Sequence, residues 1–342
     1  MTLLFRTLLP AALSLTGLLL ASTSGGAQAS AYAYSYNNIF GLTVSNPTGS
    51  ISVAGNTDIS RSTATLNGSS IIRGGNGFVD APQSALGAVS KGQNNFTQQG
   101  LGNASYSRGD AQIISSQIPP FPPGATSTHS VNAAEAFLFD TGSADASGRN
   151  GSNTGLSVNL VVGAPGATIL FNFQAAPFMQ AYLDALAGPG SASSSNMSVS
   201  FTITNALGQN VFNWSPDGTV GSGIAGGTEL ADAADLNISY SANTVTAGNM
   251  LTYDPLGCGA PTGTGSGSSC GGGYTALTNN LVAGNYTLTL NTVNSADLTI
   301  VPRVVQVSEP GTLALLGLGL LRLGVGLRRR SAPWLASVTS SS

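Results

Sequence analysis

The sequence predicts an all-β protein: an antiparallel β-sandwich, jelly-roll-like, with one short helix, an N-terminal signal peptide and a C-terminal apolar sorting helix. Three observations carry that prediction. Apolar residues alternate with hydroxyls at period two, the loops are dense in Gly, Asn and Pro, and long apolar stretches occur only at the two chain ends. Composition excludes much else. Only 25 of 342 residues are charged, 11 Lys or Arg and 14 Asp or Glu, beside one His, two Cys and 45 Gly. Within residues 30–307 the basic residues are Arg61, Arg73, Lys91, Arg108, Arg149 and Arg303, set against thirteen acids, a balance of −7. A surface of that sign repels phosphates, so nucleic acid and anionic lipid are poor partners. Solubility must come from hydroxyls and amides.

The first element is an address. Met1 to Phe5 precede a single positive charge at Arg6, an apolar run occupies residues 8–20, and Ala27-Gln28-Ala29 has the small-x-small form that signal peptidase accepts. The expected cleavage lies between Ala29 and Ser30, so residues 1–29 are set aside from the fold. A run of about 13 residues is too short to cross a bilayer core unaided.

Residues 30–118 are rich in Gly, Asn and Ser. They contain Tyr32-Ala33-Tyr34-Ser35-Tyr36 and an apolar stretch at 39–44, and Gly74-Gly75-Asn76-Gly77 predicts a hairpin turn between Ile71-Ile72 and Phe78-Val79. Residues 91–110 are too polar to build much core. This region either forms a domain of its own or supplies early strands of the following sandwich. Pro119-Pro120-Phe121-Pro122-Pro123 makes residues 119–130 a stiff linker or a long surface loop.

Residues 131–305 are expected to form the sandwich. Val199, Phe201 and Ile203 alternate with hydroxyls, as do Tyr286, Leu288 and Leu290; Ile169, Phe171 and Phe173 repeat the pattern. Each such strand buries one face, and two packed sheets satisfy that need. The one helix is expected after Pro177, with Phe178, Tyr182 and Leu186 on a common face and Gly188-Pro189 as its stop.

The C-terminus is the most specific element. Ser308-Glu309-Pro310 leads into an apolar segment, residues 311–327, and then into Arg328-Arg329-Arg330, with residues 331–342 as a polar extension. Seventeen residues of helix span about 26 Å, and the arginine cluster would stay cytoplasmic by the positive-inside rule. This three-part ending resembles the PEP-CTERM sorting signal of Gram-negative surface proteins, across residues 308–330. Ser308 stands where that family has its first proline, and Arg322 interrupts the apolar segment. The resemblance implies signal peptidase and an exosortase as processing partners and a transient inner-membrane tether with a periplasmic body. It also implies delivery to the envelope or an exopolysaccharide matrix. Residues 175–185 and 211–218 also look like segments of an exosortase-dependent subfamily, which brings no catalytic residues with it.

The remaining chemistry is sparse. His129 is the only histidine, and one His with two Cys makes no normal zinc site. No catalytic residue, metal or cofactor is assigned. Cys258 and Cys270 are expected to form a disulfide that closes a Gly/Ser/Thr-rich loop in an oxidising compartment. Asp140 with Asp145, and Asp232 with Asp235 and Glu229, raise calcium, but neither set matches a calcium loop and solvated turns are the simpler reading. Trp214, before a turn, is weighed as a sugar platform against a core edge and taken as core. Three classes therefore stand: a structural or adhesive matrix protein, favoured; a carbohydrate- or calcium-binding module; and a secreted hydrolase with two facing carboxylates.

Overall fold

The computed structural model describes residues 28–76, 96–114, 128–159, 166–262, 270–303, 318–320 and 322. The chain divides into two units, Met1–Arg303 and Val304–Ser342, taken separately here. In the second, residues 318–320 and 322 are helical; among the described residues no helix is long and apolar enough to cross a membrane.

The first unit is all-β, a sandwich-like pair of antiparallel sheets. Its first eight strands are β1 (Ala31–Thr48), β2 (Ser50–Leu66), β3 (Ser69–Asn76), β4 (Tyr106–Ile114), β5 (Thr128–Leu138), β6 (Gly142–Asn159), β7 (Thr168–Ala175) and β8 (Phe178–Leu183). The rest are β9 (Ala192–Asn205), β10 (Asn210–Trp214), β11 (Ile224–Ala225), β12 (Gly227–Asp232), β13 (Ser239–Asn243), β14 (Met250–Tyr253), β15 (Gly272–Thr278) and β16 (Gly284–Ile300). The first sheet runs β12-β15-β7-β1-β5-β4, with β8 also on β1 and β14 beyond it; the second runs β11-β10-β9-β16-β6-β2-β3, with β13 also on β9. Residues 31–114 thus supply four strands to the same two sheets. β1 is a central strand of the first, paired to β5 on one side and to β8 and then β7 on the other.

Three long strands carry the same inward code. Along β1 the inward residues change from Ala31 and Ala33, through Ser35 and Asn37, to Ile39; along β16 they change from Leu298 and Ala296, through Asn294 and Thr292, to Leu290 and Leu288. On β6, Ala144 and Ala146 give way to Gly148 and Asn150 and then to Leu156 and Val158. The interior therefore has an alanine-rich end, a polar seam and an aromatic end where Phe171, Phe173, Phe201, Phe212 and Trp214 meet. In the seam, Asn132 Nδ2 donates to Thr292 Oγ1 (2.8 Å) and Asn294 Nδ2 to Ser35 Oγ (2.7 Å), bonds that tie one sheet to the other. The sheets come backbone to backbone here. A Cβ built on Gly109 would lie 2.2 Å from Ser147 O, and one on Gly148 would lie 2.2 Å from Asp110 O, so only glycine fits either position.

Three expectations are corrected. Residues 178–183 are strand β8, not a helix: Met179, Ala181 and Leu183 face inward while Gln180 shares the outer face with Phe178 and Tyr182. Positions four apart share a face in a strand as well as in a helix, and the apolar residues at the odd positions decide for the strand. The hairpin turn is at Asn67-Gly68, with φ of 49° and 82°, and β3 runs straight through Gly74-Gly75-Asn76. Asn-Gly with both φ positive is the preferred two-residue turn between right-twisted strands. Finally, His129 is not on a solvated loop but in β5, with its Nε2 against Asn38 Oδ1.

Candidate functional site

Three polar constellations compete for the role of site. The first lies on the outer face of the first sheet, where strand register sets Gln180, Tyr34, Glu135 and Arg108 in one cross-strand row and Tyr182, Tyr32, Phe137 and Tyr106 in the next. Residues 96–100 roof this face. Phe96 O accepts from Tyr34 Oη (2.7 Å), Gln98 Nε2 donates to Tyr32 Oη (2.7 Å), and the N–H groups of Gln99 and Gly100 donate to Glu135 Oε1 (2.9 and 2.7 Å). Glu135 also accepts from Tyr32 and Tyr106 and pairs with Arg108 at 2.6 Å, while Arg108 reaches Asp110 at 3.1 Å. Burial opposes the Arg108 charge, but Glu135 and Asp110 more than offset it and hold the guanidinium protonated; burial drives the phenols of Tyr32, Tyr34 and Tyr106 well above their ordinary range. Arg108 and Glu135 are 1 % and 0 % exposed. A sealed network with its donors committed locks structure and admits no substrate. The expectation that residues 91–110 are too polar for the interior fails for Tyr106, Arg108 and Asp110, because Glu135, distant in sequence, provides the acceptor.

The second constellation gathers acids around Trp214. Trp214 is fully buried against Phe171, Phe173 and Phe201, so it presents no sugar platform. Its Nε1 donates to Glu229 Oε1 (2.5 Å), and Gly221 N–H donates to Glu229 Oε2 (2.7 Å). Asp232 Oδ2 accepts from the N–H groups of Asp217 and Gly218, both at 2.8 Å. These carboxylates pin the loop between β10 and β12 in a stretch of chain that contains no basic residue. Burial, with Glu229 nearby, pushes Asp232 up to about 6 despite those two backbone donors, and burial also raises Asp235. Among the described residues no group of three or more His, Cys, Asp or Glu is placed to hold a metal ion.

The third lies on the outer face of the second sheet, rich in Ser, Thr and Asn with Ile59, Ile72 and Val293 among them. Two like-charge pairs break it. Asp145 on β6 stands directly opposite Asp297 on β16; burial, then a hydrogen bond and the charge from Asp145, push Asp297 up to about 7. Asp145 is therefore a strand residue, not part of a calcium-binding turn. Two carboxyls hydrogen-bonded to each other leave no gap for a glycosidic bond between them. Arg61 on β2 stands directly opposite Arg149 on β6, both exposed. Composition and spacing gave no sign of either pair, because the sheet register alone creates them.

Of the residues singled out from sequence, Cys258 and Cys270 are joined, closing the connection between β14 and β15, where Asp254 accepts from the N–H groups of Cys258 and Gly259. Ala29 is buried at the edge of the alanine-rich end, and Ser30 O accepts from Asp184 N–H. Ala27, Ser308, Glu309, Pro310, Arg328, Arg329 and Arg330 lie outside the described residues, as do residues 119–127 of the Pro-rich segment.

No protein-family model and no curated protein matches the chain. Among solved structures, the structure of infectious bursal disease virus Gx strain aligns at 12 % identity over 86 % of this chain and 74 % of that one, with a TM-score of 0.09. A score of that size carries no argument about fold or function.

Proposed function

We propose that the chain is an exported, exosortase-processed protein of the cell surface or extracellular matrix, with a structural or adhesive rather than catalytic role. The observation that carries this reading is the Cys258–Cys270 bridge, since disulfides form and persist in oxidising compartments outside the cytosol. The N-terminal end agrees with it: β1 begins at Ala31, so removal of residues 1–29 leaves the first strand whole. Because Ala29 is buried in the folded body, signal peptidase must act while the chain is still extended. The tail reading rests on the order Ser308-Glu309-Pro310, apolar segment, Arg328-Arg329-Arg330. In this reading the apolar segment tethers the body to the inner membrane, the exosortase releases it, and exopolysaccharide receives it.

Cell fractionation tests the proposal. The mature body is expected in the envelope or matrix fraction, and deletion of residues 308–330 is expected to shift it between fractions. A body recovered from the cytosol, or a distribution unchanged by the deletion, overturns the reading.

A further inference from the structure

The exposed arginine pair has no counterpart in the fold that explains it. Cross-strand partners place their Cβ atoms about 5 Å apart, and like charges in that arrangement are destabilising by a few tenths of a kcal/mol to about 1 kcal/mol. The body of the chain holds six basic residues, yet two stand side by side. Among the described residues the ion pairs all belong to Arg108, so neither Arg61 nor Arg149 meets a carboxylate. Arg149 is also held: its Nε donates to Asn291 Oδ1 (3.0 Å), a bond that does not use the two terminal nitrogens.

The surroundings suit an extended, hydroxylated chain. The row through the pair continues to Val293 and Ser198, and the adjacent rows present Ile72, Thr63, Ser147 and Ser295 on one side and Ile59, Gly151, Asn291 and Ser200 on the other, so hydroxyls and amides are interrupted by two isoleucines that can meet the apolar face of a sugar ring. The Asp145–Asp297 pair lies about 13 Å away along β6, four residues from Arg149.

We infer that Arg61 and Arg149 form a docking site for the carboxylates of an acidic polysaccharide, a uronate-bearing chain lying across the outer face of the second sheet. The planar forks of two adjacent arginines match carboxylates bidentately, and the hydroxyl and amide field meets the sugar hydroxyls. Duplex DNA, with about one charge per 1.7 Å of axis, is repelled by the acidic body more strongly than a polysaccharide with one carboxylate per sugar ring. The inference rests on the matrix reading and names its ligand class.

The test is binding of the purified full chain to polygalacturonate, to dextran and to duplex DNA at low and moderate salt. Polygalacturonate is expected to bind, more weakly as salt rises, with dextran and DNA far behind. Arg61→Ala and Arg149→Ala are each expected to weaken binding roughly tenfold, the loss of one charge-assisted contact. Arg149→Lys, which keeps the charge and loses the fork, should fall between wild type and Arg149→Ala. Arg303→Ala, an equal change in net charge at another exposed position, should leave binding as it was. Both pair side chains are exposed, so melting temperatures should hold or rise slightly, which separates lost binding from lost folding. Equal affinity for dextran, preference for DNA, or loss of binding on Arg303→Ala to the same degree as on Arg149→Ala overturns the inference. A correctly exported, processed product that ignores polygalacturonate defeats the docking site alone, whereas a cytosolic chain that binds it defeats the matrix reading alone.

Discussion

Glu135 is where the interior is most sensitive to a single change. It accepts from two phenols, two backbone N–H groups and Arg108, all in a region from which water is excluded. Glu135→Ala would remove the closer of the two carboxylates that hold the buried Arg108 charge, leaving Asp110, and would free the roof at residues 96–100. The expected loss is about 3–5 kcal/mol, read from denaturant unfolding. Asn37 gives the opposite case. It is 2 % exposed and its side-chain amide atoms have no hydrogen-bond partner, whereas Asn132 bridges the sheets to Thr292. Asn132→Ala should therefore cost about 1–3 kcal/mol, while Asn37→Ala should fall within about 1 kcal/mol of wild type. Equal losses for the two would show that the seam is held by packing rather than by its hydrogen bonds. None of this was visible in the sequence, where Arg108 and Asp110 fall in a stretch too polar to build much core and Glu135 carries no local signature. Burial of a charge depends on a partner brought by sheet register, and no local pattern encodes that.

At the scale of elements, period two succeeded where one face was apolar and the other hydroxylated. Val199, Phe201 and Ile203 on β9 and Tyr286, Leu288 and Leu290 on β16 all face the interior. It failed at β8, where both faces are covered and the alternation that marks a half-buried strand is lost. It also gave no warning of the polar seam, since inward Ser, Asn and Thr look like outward ones. Gly109 and Gly148 explain why such small residues fill the middle: they let the sheets approach backbone to backbone. Gly148→Ala must push the two sheets apart at the seam. The expected outcome is a loss above about 2 kcal/mol or failure to fold, measured by thermal melting beside Gly68→Ala in the hairpin turn, which should cost about 1 kcal/mol.

Over the whole molecule, acids without cations set the response to pH. Asp232 and Asp297 have folded values near 6 and 7, above the ordinary 3.8, so the folded state holds protons that the unfolded chain releases. Their contribution is full below about pH 3.8 and is lost as pH rises through 6 and 7. The melting temperature should fall by roughly 2–5 °C between pH 5 and pH 8, and Asp297→Asn should remove the upper part of that fall. A flat profile in the wild type would mean that Asp297 does not keep its proton in the folded state at pH 5. The bridge acts on the same scale: Cys258→Ser with Cys270→Ser should cost about 3 kcal/mol by freeing a twelve-residue loop in the unfolded chain. Export itself is most directly tested by the intact mass of the native product under non-reducing conditions. The account predicts a chain that starts at Ser30, lacks the arginine cluster at 328–330 and carries one internal disulfide. A mass equal to the full 342-residue chain with two free thiols would contradict it.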